Sequence, residues 1–217
     1  FIGVRISWLM VGLTSYQALV DVAKLLPGEN ILIHAGAGGV GSIAIQLAKH
    51  LRTKVTTTTS TSNIGLVQKL GADNIIDYTK QSYLEEGPKF DVVFDTLGGK
   101  YTLDSFKVLK KGGRVVSIAG DVDSITTKQL GLNRIIRFLL RLKAKKVTNA
   151  ASKIGAKYRF LLMSPNGDQL KKLVKLYESG SIKPVIDKTY KFDESIQALE
   201  YLSKGRAKGK VVVKFIE

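Results

Sequence analysis

The 217-residue chain contains no cysteine, which excludes disulfides, thiolate catalysis and cysteine-based zinc sites. Histidine is almost as scarce. His34 falls in a strand-like run and His50 near the end of a helical one, without metal-ligand spacing between them, so no metal is expected. Acidic side chains are also few: 18 Asp and Glu stand against 34 Lys and Arg, a net charge of +16. Such a surface attracts anions, whether dinucleotide phosphates, nucleic acid or an acidic membrane face. No apolar run is long enough to span a bilayer. Phe1 to Gly12 is apolar but short and lacks a signal-peptide pattern, so a cytoplasmic location is expected.

What the chain does have is glycine in one telling place. Gly36-Ala37-Gly38-Gly39-Val40-Gly41 follows the apolar run Ile31-Leu32-Ile33 directly. Val40, Ile43, Ala44, Leu47, Ala48 and Leu51 then recur at helical spacing and form one apolar face. Strand, glycine turn and helix start in this order fit a dinucleotide site. Gly36 permits the tight turn, Gly38 lets backbone approach a pyrophosphate, and Gly41 lets the helix pack close to the strand. The pyrophosphate would rest on the helix N-terminus, where free N–H groups and the helix dipole favour an anion. A purely structural glycine turn is the alternative.

The next strand indicates which dinucleotide. An NAD site usually places Asp or Glu about 20 residues on, at the ribose 2′-hydroxyl. Here that stretch reads Val55-Thr56-Thr57-Thr58-Thr59-Ser60-Thr61-Ser62-Asn63, and no carboxylate occurs between Gly36 and Asp73. Small hydroxyls and an amide can donate to a 2′-phosphate that a carboxylate would repel. NADP(H) is therefore expected, with Ser60 to Asn63 at the ribose. Thr56 to Thr58 read as ordinary β-branched strand residues.

Strand-like and helix-like segments alternate from Ile31 onward, which implies a parallel sheet with helices on both faces. Expected strands are 54–59, 74–77, 90–95, 114–118 and 157–163. Expected helices are 63–70, 101–109 and 168–178. The tail breaks the alternation, with a strand at 185–192, a helix at 193–203 opened by an Asp cap, and a strand at 210–216. The densest basic stretch holds Arg134, Arg137 and Arg141 on one helix face and Ile135, Leu139 and Leu142 on another. A solvated face over a packed one is expected, the alternative being a membrane-surface helix.

Several segments together resemble the medium-chain dehydrogenase/reductases, in their zinc-independent, quinone-oxidoreductase-like branch. They are residues 12–19 (Gly-Leu-Thr-Ser-Tyr-Gln-Ala-Leu), Leu26-Pro27-Gly28, the Ile31–Gly41 turn, Leu70-Gly71-Ala72-Asp73 with Ile76-Asp77-Tyr78, residues 94–99 (Phe-Asp-Thr-Leu-Gly-Gly), residues 112–117 (Gly-Gly-Arg-Val-Val-Ser) and Gly209-Lys210-Val211-Val212. The resemblance runs from about Gly12 to the end. It implies an α/β fold, a doubly wound parallel (Rossmann) sheet over 1–182. Residues 183–217 would be the C-terminal remnant of a second, GroES-like catalytic domain that is otherwise absent. It places Thr14 near the nicotinamide and Asn63 beside the 2′-phosphate, where relatives often have Lys. Tyr78 would lie on the phosphate side of the adenosine. Thr96 and Leu97, with Ile118 to Gly120, would line the nicotinamide and its ribose. Arg206 and Lys208 would return positive charge to the cofactor. Gly36, Gly38, Gly39, Val40 and Gly41 keep the roles given above.

The implied reaction is hydride transfer from NADPH to a quinone or an α,β-unsaturated carbonyl, without zinc. No residue stands out as the proton donor. The alternative is a truncated NADPH-binding fragment with little turnover, because one wall of the cleft is missing. A nucleic-acid-binding module is compatible with the charge, but no recognition motif supports it. In the resembled family the edge strand often pairs with its copy in a second subunit, so a homodimer through 157–163 is expected, and Tyr158 to Met163 make a suitably bulky, proline-free edge; the alternative is an edge covered by the basic helix of the same chain.

Overall fold

The computed structural model describes residues 8–205 and 207–215. Six strands, β1 (Asn30–Ile33), β2 (Lys54–Thr59), β3 (Asn74–Asp77), β4 (Phe90–Asp95), β5 (Leu109–Ser117) and β6 (Lys157–Phe160), form one sheet. All its pairings are parallel, in the order β3-β2-β1-β4-β5-β6. This is the doubly wound Rossmann order, in which the chain reverses direction across the sheet between β1 and β4. The helices are α1 (Leu9–Tyr16), α2 (Gly41–His50), α3 (Ile64–Lys69), α4 (Lys100–Val108), α5 (Ser124–Gln129), α6 (Arg134–Lys143), α7 (Lys145–Lys153) and α8 (Gly167–Glu178). A separate pair of parallel strands, β7 (Ile186–Lys191) and β8 (Lys210–Lys214), flanks α9 (Ser195–Ser203).

Period-two alternation divides the core between the two faces of the sheet. Ile31, Ile33, Val92 and Phe94 pack with α1, α2 and Leu173 of α8, while Leu32, Val93 and Val115 pack with Phe106 of α4 and Val147 of α7. The central strands are buried on both faces, as parallel strands covered by helices must be. The threonine run behaves as strand: Thr57 Oγ1 donates to the Ile33 carbonyl at 2.7 Å and Thr58 Oγ1 accepts from Ala35 N–H at 3.1 Å. Among the described residues no helix is long and apolar enough to cross a membrane.

Four local expectations change. β5 begins at Leu109, directly after α4, because Lys110 to Gly113 form a bulge within the strand; the register with β4 shifts between Phe90 and Val92. β6 stops at Phe160 instead of reaching Met163, since its partner β5 ends at Ser117 and Leu161 N–H makes the last bond to it, 2.8 Å from the Ser117 carbonyl. Asp193 does not cap α9: a single 3-10 turn, Phe192–Glu194, precedes the helix, and Glu194 stands at the N-cap with its side chain turned back to accept from Lys191 N–H at 2.9 Å instead of capping α9. The apolar side of α6 is not packed. Ile135, Phe138, Leu139 and Leu142 are all exposed, and none of its residues is buried.

Candidate nucleotide site

The crevice for a nucleotide in such a sheet lies beyond the carboxyl ends of β1 and β4. β1 ends in a turn at Ala35, whose φ is +52°, and the chain enters α2 through the glycines. Two of these are sterically compelled. A Cβ on Gly36 would lie 2.1 Å from Thr57 Oγ1, and one on Gly41 would lie 2.3 Å from the Ala35 carbonyl oxygen. Gly38 is looser, with only the Ala35 carbonyl at 3.2 Å, so its missing side chain keeps space open instead of permitting a contact. Val40 holds the N-cap of α2, no side chain caps the helix and no acid lies in its first turn. Ser42 N–H donates to the Gly38 carbonyl at 2.9 Å, so the N–H groups left to face an anion are those of the turn ahead of it.

The tail closes over this loop. Gly209 N–H donates to the Ala37 carbonyl at 2.8 Å, and Gln46 of α2 exchanges two hydrogen bonds with the Lys183 backbone. This is why α2 is buried from Gly41 through Ala48, beyond the single apolar face read from its spacing. Lys210 is brought to the glycines by the same docking: a Cβ on Gly39 would stand 3.4 Å from its Nζ. Burial lowers the Lys210 ammonium from the usual lysine value, and no neighbouring carboxylate offsets that effect. It is a partly desolvated cation beside the glycine loop. Lys208, expected from the sequence, lines the cavity beside the same loop. Arg206 lies outside the described residues.

A cavity of about 670 Å³ opens beside the loop, lined by Gly38, Ser60, Asn63, Tyr78, Tyr201 and Lys208, among others. The sequence-predicted ribose residues are therefore brought together with Lys208 from the tail. Ser60 Oγ and Ser62 Oγ are 3.3 Å apart, Asn63 Nδ2 donates to Ser60 Oγ at 3.2 Å, and Asn63 Oδ1 is buried without a partner. Turning that amide over would let its carbonyl accept from Ser60 and leave its NH₂ free for a ligand oxygen. Asp77, across from Thr59 in the ladder, is a nearby carboxylate that the reading of β2 alone did not weigh. Hydrogen bonds from the Thr61 hydroxyl first, then from Thr79, hold it below the usual carboxylate range. Tyr201 is positioned by its hydroxyl, which donates to Asp187 Oδ2 at 2.7 Å.

The other half of the crevice is organised by a residue that sequence reasoning missed. Asp95 ends β4 and is fully buried. Its Oδ1 accepts from the N–H groups of Leu97 and Gly98, both at 3.0 Å, and its Oδ2 accepts from the hydroxyls of Thr102 and of Ser117, the latter at 2.8 Å. Ser117 Oγ in turn accepts from Gly120 N–H at 2.8 Å. One carboxylate thereby sets both the Thr96–Leu97 turn and the Ile118–Gly120 turn. Thr96 is further tied by its hydroxyl to the His34 carbonyl at 2.9 Å. An Asp closing an apolar strand just before Gly98-Gly99 was the available signal. Thr14 lies on α1, its hydroxyl spent on the Met10 carbonyl, and α1 reaches the glycine loop through Ser15 Oγ, which donates to the Val40 carbonyl at 3.2 Å.

With this geometry in place, residues 70–213 match the family described as zinc-binding dehydrogenase. The chain belongs to the medium-chain dehydrogenase/reductase superfamily. It is 40% identical over 205 residues to the 2-methylene-furan-3-one reductase of Solanum lycopersicum, covering 92% of this chain and 44% of that protein. It is 40% identical over 190 residues to the chloroplastic NADPH-dependent alkenal/one oxidoreductase of Arabidopsis thaliana, covering 86% of this chain and 40% of that one. Among solved structures, the quinone oxidoreductase from Coxiella burnetii superposes with a TM-score of 0.78 at 34% identity, covering 95% of this chain and 58% of the other. The chain thus spans about half the length of the relatives it matches. In this superfamily member, the tail that docks on the glycine loop and the Asp95 hub are the two features that assemble the crevice.

Proposed function

We propose that this chain is the nucleotide-binding part of an NADPH-dependent oxidoreductase that passes hydride to a quinone or an α,β-unsaturated carbonyl. The observation that carries the reading is the convergence at the Rossmann switch point of compelled glycines, an uncapped helix start and the partly desolvated Lys210. The names of the matched reductases support the substrate class. Gly36 to Gly41 and Lys210 would hold the pyrophosphate, with Ser60, Asn63, Tyr78 and Lys208 at the adenosine ribose. Thr14, Thr96, Leu97, Ile118 and Gly120 would wall the nicotinamide. The cofactor supplies the hydride, and this chain's contribution is position and electrostatics.

Residues 183–217 are proposed to belong to a catalytic domain that the rest of the chain does not build. On that reading the chain binds NADPH and turns over little by itself. Zinc finds no ligand set: the chain has no cysteine, and among the described residues no three His, Asp or Glu side chains converge. Zinc independence and a cytoplasmic location remain parts of the same proposal.

Asp77 favours a second reading, NADH, because a carboxylate near the ribose suits a free 2′-hydroxyl. Calorimetric titration with both cofactors decides between them. NADPH is expected to bind about tenfold more tightly, the effect of one or two added charge-assisted hydrogen bonds. Equal affinity or a preference for NADH removes the NADPH assignment. Quinone reduction by this chain at the rate of a complete enzyme would remove the fragment reading, and stoichiometric zinc in the same preparation would remove zinc independence.

A homodimer along β6 is proposed with a narrower edge than the sequence suggested. Phe160 N–H already donates to Asp123 Oδ2 at 2.8 Å, and its carbonyl accepts from Thr126 Oγ1 at 2.7 Å. The chain therefore blunts its own edge at the end of β6. Light scattering at micromolar concentration is expected to give twice the chain mass, and a monomer would sink the proposal.

A further inference from the structure

The strongest feature that the nucleotide site does not use is α6. It touches the body mainly through its neighbours α5 and α7. Ile135, Phe138, Leu139 and Leu142 are 74%, 60%, 57% and 51% exposed. At about 100° per residue these four occupy one sector of the helix roughly 100° wide. Arg134, Arg137 and Arg141 fall in the adjoining sector on one side and Lys143 on the other. Lys145 and Lys146 follow at the start of α7. Between Asp123 and Asp168 the chain carries ten Lys or Arg and no Asp or Glu. Lys143 is the α6 cation with a carboxylate nearby, 3.8 Å from Asp121.

From this arrangement we infer that α6 is an in-plane docking helix for an anionic lipid bilayer. Its apolar sector would enter the acyl boundary while the flanking cations meet acidic headgroups. Three observations select that occupant. Ile135, Leu139 and Leu142 are exposed along one helix face, with Phe138 at the margin where α6 lines a cavity with Asp123 and Tyr158, and such an apolar strip suits a planar apolar boundary. Arg134, Arg137 and Arg141, which also line that cavity, border the apolar sector on one side, and Lys143 stands on the other beside the exposed Ile136, so a partner that is apolar in the middle and anionic at its margin fits this face. A second copy of this chain would oppose two basic helices within a chain of net charge +16, and like charges at an interface disfavour that contact.

Charge alone would bring this protein to acidic vesicles, so the test must read insertion. The chain has a single tryptophan, Trp8, which is 2% exposed and gives a constant background. Phe138→Trp places a reporter in the apolar sector. With phosphatidylserine/phosphatidylcholine vesicles at physiological salt, its emission is expected to shift to the blue and to be quenched by brominated acyl chains. Pure phosphatidylcholine vesicles are expected to leave it unchanged. Leu139→Asp is expected to weaken vesicle binding about tenfold or more, the effect of losing one buried leucine, and Leu142→Ser to weaken it in the same direction. Both side chains are exposed, so thermal unfolding and cofactor affinity should stay at wild-type values. Binding without a spectral change, or binding that Leu139→Asp and Leu142→Ser leave intact, would overturn the inference. So would an equal blue shift with a soluble polyglutamate peptide and no lipid, which would mark an acidic protein partner instead.

Discussion

Replacing Asp95 with Ala is expected to lower the free energy of unfolding by about 3–5 kcal/mol, because buried donors lose an ionised acceptor. Two N–H groups and two hydroxyls converge on this one carboxylate, in a site without solvent exposure. Each would be left to find a weaker partner, and the hole left by the carboxylate is polar enough to admit water as partial compensation. Asp95→Asn should cost less. Its carbonyl can still accept from Leu97 and Gly98, and the hydroxyls of Thr102 and Ser117 can rotate to accept from its amide. Urea unfolding of both variants measures the difference. The Ile118–Gly120 turn hangs from Asp95 through Ser117, so cofactor affinity should fall in Asp95→Ala more than in Asp95→Asn. A loss of stability below about 1 kcal/mol in the Ala variant would show that the network is not supported from Asp95.

The second large effect is acid sensitivity from His34. The residue is fully buried just beyond β1, with Nδ1 3.4 Å from Thr58 Oγ1 and Nε2 without a partner. The Tyr83 ring stands edge-on to it, centroids 4.7 Å apart. Burial pushes its pKa down from 6.5 to about 4, an effect that the charge of Asp95 only partly opposes. The folded protein therefore binds a proton here less readily than the unfolded chain. Its contribution to stability is complete above pH 6.5 and is lost as the pH falls towards 4. The loss between pH 7 and pH 4.5 should be roughly 2 kcal/mol. His34→Leu should flatten the profile in that window. Asp77, held below the usual carboxylate range by Thr61 and Thr79, acts in a lower window, because its contribution disappears only as the pH drops below about 3.8. Urea midpoints across pH 4.5–7 separate the two. A wild-type profile as flat as that of the variant would mean that His34 is protonated in the fold at no cost.

How far the sequence could be read depended on whether a feature rests on local spacing or on meetings between distant segments. β3 and β4 fell where the apolar pattern put them, and Gly41 is needed for close packing as its place in the motif implies, whereas Gly36 is compelled by Thr57 of the neighbouring strand and not by the turn. The end of β6 did not, because a strand lasts only as long as its neighbour does, and β5 stops at Ser117. Asp193 looked like a cap by position, but the preceding single turn moved the helix start past it. Lys208 was legible as a tail cation and lines the cavity with Gly38, whereas nothing in the tail's composition tells that Lys210 will also be carried to the glycines.

By itself the sequence determined the α/β class, the dinucleotide turn, the absence of cysteine chemistry and the resemblance to the medium-chain dehydrogenases. These follow from period-two and helical spacing, glycines and residue counts, all of which are local. Only the tertiary structure decided that Asp95 ties two turns together, that Lys210 is partly desolvated beside Gly39, and that Asp123 and Thr126 cover the edge at Phe160. It alone decided that Ile135, Phe138, Leu139 and Leu142 of α6 stay exposed. Burial and hydrogen-bond partnership are properties of juxtaposition, and residues 95 and 117, 39 and 210, or 123 and 160 become neighbours only once the sheet has brought them together.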